Sequence, residues 1–311
     1  MLQAVSKTFF HLLAGSQPLK KLASRYGMRA RGGFARRFIA GESVEEAIEA
    51  AREIQRNGLM VTLDYLGESV ASIAAADAAT RIYIGVLERI AAAGIERNIS
   101  LKLTQLGLTI DRATCVDNLR RILDVATAKE FFVRVDMEDS PFTAVTLEVF
   151  ETMWQQGYRN VGIVLQSYLP RSEADAARMN ELGARVRIVK GAYNEPKDAA
   201  YQAMADVDAA FVRIMQLLLT HGTCPAIATH DPAMIDATRA FAAAHGLDAS
   251  KYEFQMLYGI RRDLQNSLIR DGLRVRVYVP FGREWFPYFM RRLGERPANI
   301  GFVIRGIMSE R

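Results

Sequence analysis

Cysteine is nearly absent: 311 residues contain only Cys115 and Cys224, far apart in the chain. Their separation excludes a C-x-x-C redox or zinc motif and any disulfide framework, and two isolated thiols suit a reducing compartment. Histidine is scarce too. His11, His221, His230 and His245 are scattered, with no H-E-x-x-H, so no metal constellation is expected. The chain also lacks G-x-G-x-x-G, a P-loop and a nucleophile elbow. These absences remove a Rossmann dinucleotide unit, a phosphate-cradling loop and a serine-hydrolase site. No apolar run is long enough to cross a bilayer. The early apolar patches, Thr8–Phe10 and Leu12–Ala14, are short, follow Lys7 and lead to no cleavage site. The expected location is cytoplasmic, at most peripheral on the inner face of the membrane.

What is present is a folding composition. Hydrophobic residues make up 50% and charged residues 24%, enough for one large core that needs no staple. The net charge of +5 is concentrated early, in Lys20, Lys21, Arg25, Arg29, Arg31, Arg36 and Arg37. Two readings stay open: a solvated helical surface, or a face attracted to anionic lipid. Nucleic acid is not an expected partner, because the cluster carries no binding motif.

From about residue 59 the pattern alternates short β-like runs with longer amphipathic ones. Strands are predicted at Leu59–Leu63, Ile99–Leu103, Phe131–Asp136, Val161–Gln166, Val186–Lys190, Pro225–Thr229, Tyr252–Leu257 and Val275–Val279. Between them, stretches such as Ala74–Ala93, Thr143–Gln156 and Ala199–Thr220 repeat apolar residues at helical spacing. Eight strand–helix units over roughly 250 residues predict an α/β fold, a (β/α)8 TIM-like barrel, rather than a doubly wound sheet. The strands read as apolar on both faces, one meeting helices and one filling the barrel. Residues 1–58 are expected to form a helical N-terminal extension (2–13, 19–27, 34–39, and 44–55 after the N-cap Ser43) to a barrel over 59–311.

Catalytic groups of such a barrel sit at the carboxyl ends of its strands. There the chain places Asp64 and Glu68, Lys102, Asp136, Gln166, Arg187 and Lys190, Thr229 and His230, Gln255 and Leu257, and Tyr278. Charges inside apolar strands are costly unless paired or used. Lys102, Asp136, Arg187 and Lys190 therefore form either an ion-pair network capping the barrel or a site. Beyond the last strand, 285–295 reads as a helix that puts Tyr288, Arg291, Arg292 and Glu295 on one face. Adjacent arginines suit bidentate grip of a carboxylate, such as that of an amino or imino acid.

Seven segments carry a resemblance to a known family. They are Asp64-Tyr65-Leu66-Gly67-Glu68, Ile99-Ser100-Leu101-Lys102-Leu103, Val133-Arg134-Val135-Asp136-Met137-Glu138, Arg187-Ile188-Val189-Lys190-Gly191-Ala192-Tyr193, Ala228-Thr229-His230, Glu253-Phe254-Gln255-Met256-Leu257-Tyr258-Gly259 and Tyr288-Phe289-Met290-Arg291-Arg292-Leu293-Gly294-Glu295. In this order they resemble the proline dehydrogenases of the short bacterial monofunctional type. The resemblance implies a distorted barrel that binds FAD noncovalently and oxidises L-proline to Δ1-pyrroline-5-carboxylate, the first step of proline catabolism. Hydride would pass to flavin N5 and the electrons onward to a membrane quinone. A separate pyrroline-5-carboxylate (glutamate semialdehyde) dehydrogenase would complete the breakdown.

It also implies roles. Arg291, Arg292 and Lys102 would hold the substrate carboxylate, while Tyr278, Tyr288 and Leu257 enclose the ring. Arg187 would approach the flavin and pair with Asp136. Gln166, the Lys190-Gly191-Ala192 turn, Thr229, His230 and the backbone near Val135 would hold FAD. Glu68 would gate the site through Arg291. Asn194 departs from the pattern, standing where some relatives carry tryptophan over the flavin. The proton acceptor stays open between Asp136 and water, and hydroxyproline remains an alternative substrate. Outside this chemistry, Lys102 or Lys190 as a Schiff-base amine or a non-catalytic binding barrel are the competing readings.

Overall fold

The computed structural model describes Met28 and residues 34–295, with side chains as far as Arg292. Eight strands close into one barrel in sequence order: β1 (Met60–Tyr65), β2 (Asn98–Leu101), β3 (Phe132–Val135), β4 (Val161–Gln166), β5 (Arg185–Val189), β6 (Ala226–Ala228), β7 (Glu253–Leu257) and β8 (Val275–Phe281). Every neighbouring pair is parallel, and β8 returns to β1 over six residue pairs from Met60↔Arg276 to Tyr65↔Phe281. Parallel strands require crossovers. These are α2 (Ile73–Ala93), α3 (Arg112–Ala128), α4 (Ser140–Gln155), α5 (Ser172–Leu182), α6 (Met204–His221), α7 (Pro232–Ala244) and α8 (Arg262–Arg270). Helix α1 (Val44–Arg56) precedes the barrel and α9 (Trp285–Glu295) follows it. None of the described helices is long and apolar enough to cross a membrane.

Two helix starts differ from the expected ones by more than one residue. Helix α4 begins at Ser140 because Pro141 sits in its first turn, where a missing N–H costs no hydrogen bond. Helix α6 begins only at Met204, because the residues before it turn about Pro196, whose carbonyl accepts from the N–H groups of Ala199 and Ala200 at 3.1 Å each.

The strand faces also differ from the expectation, and here the difference matters. One face is apolar throughout: Val61 and Leu63, Ile99 and Leu101, Val133 and Val135, Ile163 and Leu165, Val186 and Ile188, Ile227, Phe254 and Met256, Val275 and Val277 all join one buried cluster with the helices. The alternate residues are mostly polar, Thr62, Asp64, Ser100, Arg134, Arg187, Glu253, Gln255, Arg276 and Tyr278, with Phe132, Val164 and Val189 as apolar exceptions. Their mutual contacts run across the barrel. Arg187 on β5 meets Ser100 on β2 at 3.1 Å and Gln255 on β7 at 2.5 Å, distances reached only through the interior. Side chains on a strand alternate in direction, so this interior is polar by construction, not the usual fill of branched apolar residues. The helix-facing side supplies the hydrophobic stabilisation, at roughly 1.5–3 kcal/mol for each large side chain buried.

Ahead of the barrel, Ser43 caps α1 as expected, in a reciprocal capping box with Glu46. Helix α1 buries Val44, Ala47, Ile48 and Ala51 in the barrel's main cluster. The predicted helices at 2–13 and 19–27 lie outside the described residues, and the one at 34–39 is a single 3-10 turn, Phe34–Arg37. This segment has a defined seat. Ala35, Phe38 and Ile39 pack with Trp285, Phe286, Tyr288, Phe289 and Met290 of α9. Backbone bonds from Ala40 N to the Pro280 carbonyl and from Gly282 N to the Gly41 carbonyl, 2.9 Å each, fasten it. Where it crosses the β7–α8 loop, Gly259 has φ +72°, and a Cβ there would lie 1.6 Å from the Arg37 carbonyl oxygen. Only glycine permits that crossing.

Candidate active site

The upper interior of the barrel holds one connected polar network. Arg187 uses every nitrogen: Nε donates to Gln255, one terminal nitrogen to Asp136 Oδ1 at 2.7 Å, the other to Ser100 Oγ. Its guanidinium also stands 5.5 Å from the Tyr278 ring centre. The Tyr278 hydroxyl bridges two carboxylates, Asp64 Oδ2 at 2.5 Å and Asp136 Oδ2 at 3.0 Å, and its single proton serves one at a time. Lys102 Nζ lies 3.3 Å from Asp64 Oδ2 and 3.9 Å from Asp136 Oδ2. Two cations thus face two carboxylates with a phenol between them, all nearly excluded from water.

Burial and charge set the protonation states. Burial opposes the Lys102 charge, but Asp64 and Asp136 outweigh it and hold the ammonium above its ordinary range. Burial raises the Asp64 carboxyl above the usual value of 3.8, and Asp136 beside it adds to the rise against the pull of Lys102. Burial, Asp136 and Asp64 together push the Tyr278 phenol far up, so it remains a donor.

At the mouth stands a second group of cations. Helix α9 carries Tyr288, Arg291 and Arg292, and Arg292 lies 5.3 Å from the Tyr288 ring centre. Arg291 pairs with Glu68 Oε1 at 2.7 Å, so the two residues expected to form a gate are in contact. Tyr193, in the loop after β5, feels both Lys102 and Arg291. Burial nonetheless raises its phenol well above the ordinary value, with Glu138 and Glu68 contributing. That shared neighbour links Lys102, just after β2, electrostatically with Arg291 of α9. The aromatic side chains of Tyr193, Tyr278 and Tyr288 stand among them.

The remaining expected residues line the carboxyl rim. Val135 ends β3, and Gln166 ends β4 with its Oε1 buried and accepting no hydrogen bond from the described residues. Lys190, Gly191 and Ala192 follow β5. The Lys190 ammonium is answered within the chain by Asp208 at 2.5 Å and Asp231 at 2.7 Å, which raise its pKa against burial. Gly191 has φ +121°, and a Cβ there would fall 2.3 Å from the Tyr168 ring. Thr229 and His230 follow β6. The His230 Nε2 accepts the N–H of Leu257, the last residue of β7, at 2.9 Å, which puts the proton of the neutral ring on Nδ1.

Sequence reasoning undervalued four members. Asp64, Ser100, Gln255 and Tyr193 all lie in the quoted segments but received no role. A signal existed: the first three occupy the same alternation phase as Arg187 and Tyr278 and so face them. Of the early basic cluster, Arg36 and Arg37 are described. Arg36 is bonded to Glu46 at 2.6 Å and to the Met28 carbonyl at 3.0 Å, a structural use of that charge.

The chain is similar to known proteins. A family model described as proline dehydrogenase matches residues 47–305. The chain is 45% identical over 280 residues to the proline dehydrogenase of Deinococcus radiodurans, covering 88% of this chain and 90% of that protein. It is 40% identical over 301 residues to proline dehydrogenase 1 of Bacillus subtilis, covering 97% and 98%. Among solved structures, proline utilization A (PutA) from Bdellovibrio bacteriovorus, inactivated by N-propargylglycine, is similar with TM-score 0.80 and 28% identity over 84% of this chain. The chain spans 32% of that longer protein. With the family model matching most of its length and relatives this similar end to end, the chain belongs to the proline dehydrogenase family.

Proposed function

We propose that this chain oxidises L-proline to Δ1-pyrroline-5-carboxylate, the first step of proline catabolism, with FAD as its cofactor. One observation carries the reading beyond family membership. Lys102 and Arg291 both act on the Tyr193 phenol, and Arg292 stands beside Tyr288 on the same helix as Arg291, at the mouth of a barrel whose interior holds a connected Arg187–Asp136–Tyr278–Asp64 network. Such a mouth selects a small anion with an apolar body, as proline is: a carboxylate for the cations and a ring for the aromatic walls.

The donor set fits FAD. Gln166 offers a buried acceptor in want of a donor, as the N–H at the edge of an isoalloxazine ring supplies. Gln166, Arg187, the Lys190-Gly191-Ala192 turn, Thr229, His230 and the Val135 backbone would hold it. When bound, FAD supplies a two-electron acceptor for the hydride leaving the ring carbon next to nitrogen. The chain's own residues do the rest. Arg291, Arg292 and Lys102 fix the carboxylate, Tyr278, Tyr288 and Leu257 fix the ring, and that positioning supplies much of the rate. Arg187, clamped at all its nitrogens, presents fixed positive charge to the interior, where developing negative charge would be stabilised. Loss of an N–H proton accompanies formation of the C=N bond, with a carboxylate of the Asp64–Tyr278–Asp136 group or water as its acceptor.

The competing use of Lys102 or Lys190 as a Schiff-base nucleophile needs a depressed amine pKa. Both are held charged by paired carboxylates. Transfer of the electrons to a membrane quinone is part of the proposal and rests on the family resemblance.

Anaerobic titration of the FAD-loaded protein with L-proline tests the reading through bleaching of the flavin band. Protein that stays colourless after FAD is supplied, or a flavin that proline does not bleach, would overturn it.

A further inference from the structure

The polar interior continues below the site to the opposite end of the barrel. Gln255 accepts the Arg187 Nε–H on its Oε1 and donates from Nε2 to Glu253 Oε1, two residues earlier on β7. Glu253 is gripped by Arg276 of β8, Nε to Oε1 at 2.7 Å and a terminal nitrogen to Oε2 at 3.1 Å. Arg276 is held in turn by Glu96 at 2.6 Å and the Val61 carbonyl at 2.7 Å. Burial raises the Glu253 pKa, but Arg276 outweighs it, so the carboxylate stays ionised. Gln255 and Glu253 are 4% and 8% exposed, so both are buried.

An amide has two orientations, and here only one works. With Oε1 toward Arg187 and Nε2 toward Glu253, both contacts join donor to acceptor. Reversed, N–H would face N–H and carbonyl would face carboxylate, leaving both buried pairs unmade. The charge of Glu253 therefore selects the face that Gln255 turns to Arg187.

We propose that Gln255 and Glu253 are positioning residues for the reaction. Glu253, anchored by Arg276, orients the Gln255 amide, and that amide sets the Arg187 guanidinium in the plane it needs toward the cofactor. The proposal rests on the FAD reading above. It predicts an effect chiefly on the electron-accepting end of the site rather than on the carboxylate grip, since Lys102 pairs with Asp64 and Asp136, and Arg291 with Glu68, rather than with Gln255 or Glu253.

The test compares wild type, Gln255→Met, Glu253→Gln and Glu253→Asp as FAD-loaded proteins. Gln255→Met keeps length and removes only the amide. Its expected signature is kcat down by about 10-fold or more, KM for proline within about 3-fold, and a flavin midpoint potential moved to more negative values. Glu253→Gln, which no longer dictates the amide's direction, is expected to shift kcat and potential the same way by less, and Glu253→Asp to restore part of both. Melting temperature and FAD content report folding separately. If Glu253→Gln fails to fold, Gln255→Met decides alone, and if that fails, Gln255→Leu replaces it. Folded variants with unchanged potential and kcat would overturn the inference, as would a loss confined to KM. Wild type that proline does not bleach would instead sink the functional reading, so the two failures are distinguishable.

Discussion

The Glu68–Arg291 contact makes a quantitative claim about substrate entry. If Arg291 must release Glu68 to take the substrate carboxylate, the internal pair competes with substrate, and Glu68→Gln removes the competitor while keeping its shape. Two unit charges about 4 Å apart at an effective dielectric near 20 attract by about 4 kcal/mol. That is an upper bound here. The Glu68 side chain is 32% exposed and that of Arg291 13%, so water competes on the carboxylate side. Exposed pairs contribute about 0.2–1 kcal/mol, and a pair at the wetter edge of the site belongs near the top of that range. About 1 kcal/mol corresponds to roughly 5-fold in affinity. The expected outcome is a KM for proline lowered about 5-fold with kcat within 2-fold, and a matching gain for a non-oxidisable ring carboxylate titrated against the flavin spectrum. The gap should shrink as salt is raised, because screening weakens the wild-type pair more than the variant's neutral contact. An unchanged or increased KM with kcat intact would refute competition and make the pair a structural strut.

Arg291→Met and Arg292→Met should each raise the proline KM by about 10- to 100-fold, the cost of a charge-assisted hydrogen bond, while FAD per protein stays constant. Normal proline kinetics in either would remove the carboxylate assignment. Gly259→Ala puts a Cβ 1.6 Å from the Arg37 carbonyl, so the 34–41 segment must lift from α9. A lower melting temperature with a higher proline KM is expected, and a melting curve like wild type would show the segment yields. Burial pushes the Cys115 thiol up to about 12, so it stays protonated and inert at pH 8. A thiol reagent should label only Cys224, the half-exposed one, until denaturant is added; native labelling of both would contradict the burial. Arg276 holds the Glu253 pKa below its unfolded value of 4.5 despite burial. That stabilisation is complete above pH 4.5 and is lost as pH falls through the lower folded value. Glu253→Gln should therefore flatten the acid limb of the stability curve below pH 4.5, measured by urea midpoints, and an unchanged limb would count against the pairing.

Much of the barrel was legible because its signals are local. Eight apolar runs separated by helical stretches announce the strands, and Val161–Gln166 is found where it was expected to the residue. Capping chemistry placed α1 through Ser43. Misplaced boundaries lie where a proline or a turn acts on one or two residues, as at Pro141 and Pro196. The interior was misread for a different reason. Polar residues such as Ser100 and Gln255 look incidental in single strands of four or five residues, and only closure of the sheet brings their shared phase to one axis.

The candidate site divides in the same way. Residue types and order, including the arginine pair after β8 and the lysine after β2, were enough to indicate an anionic substrate. Which cation meets which carboxylate was not, because Glu68 and Arg291 are 223 positions apart and Tyr278 and Asp64 are 214 apart. Sequence alone determined the alternation of elements, the strand-end chemistry and the family. Tertiary structure decided that the interior is a continuous polar column from Lys102 to Arg276, that residues 34–41 brace the arginine helix, and that Asp64 shares the Tyr278 proton. Local pattern depends on neighbours within a turn or a strand, whereas partners across a closed barrel are chosen by geometry that exists only once the chain has folded.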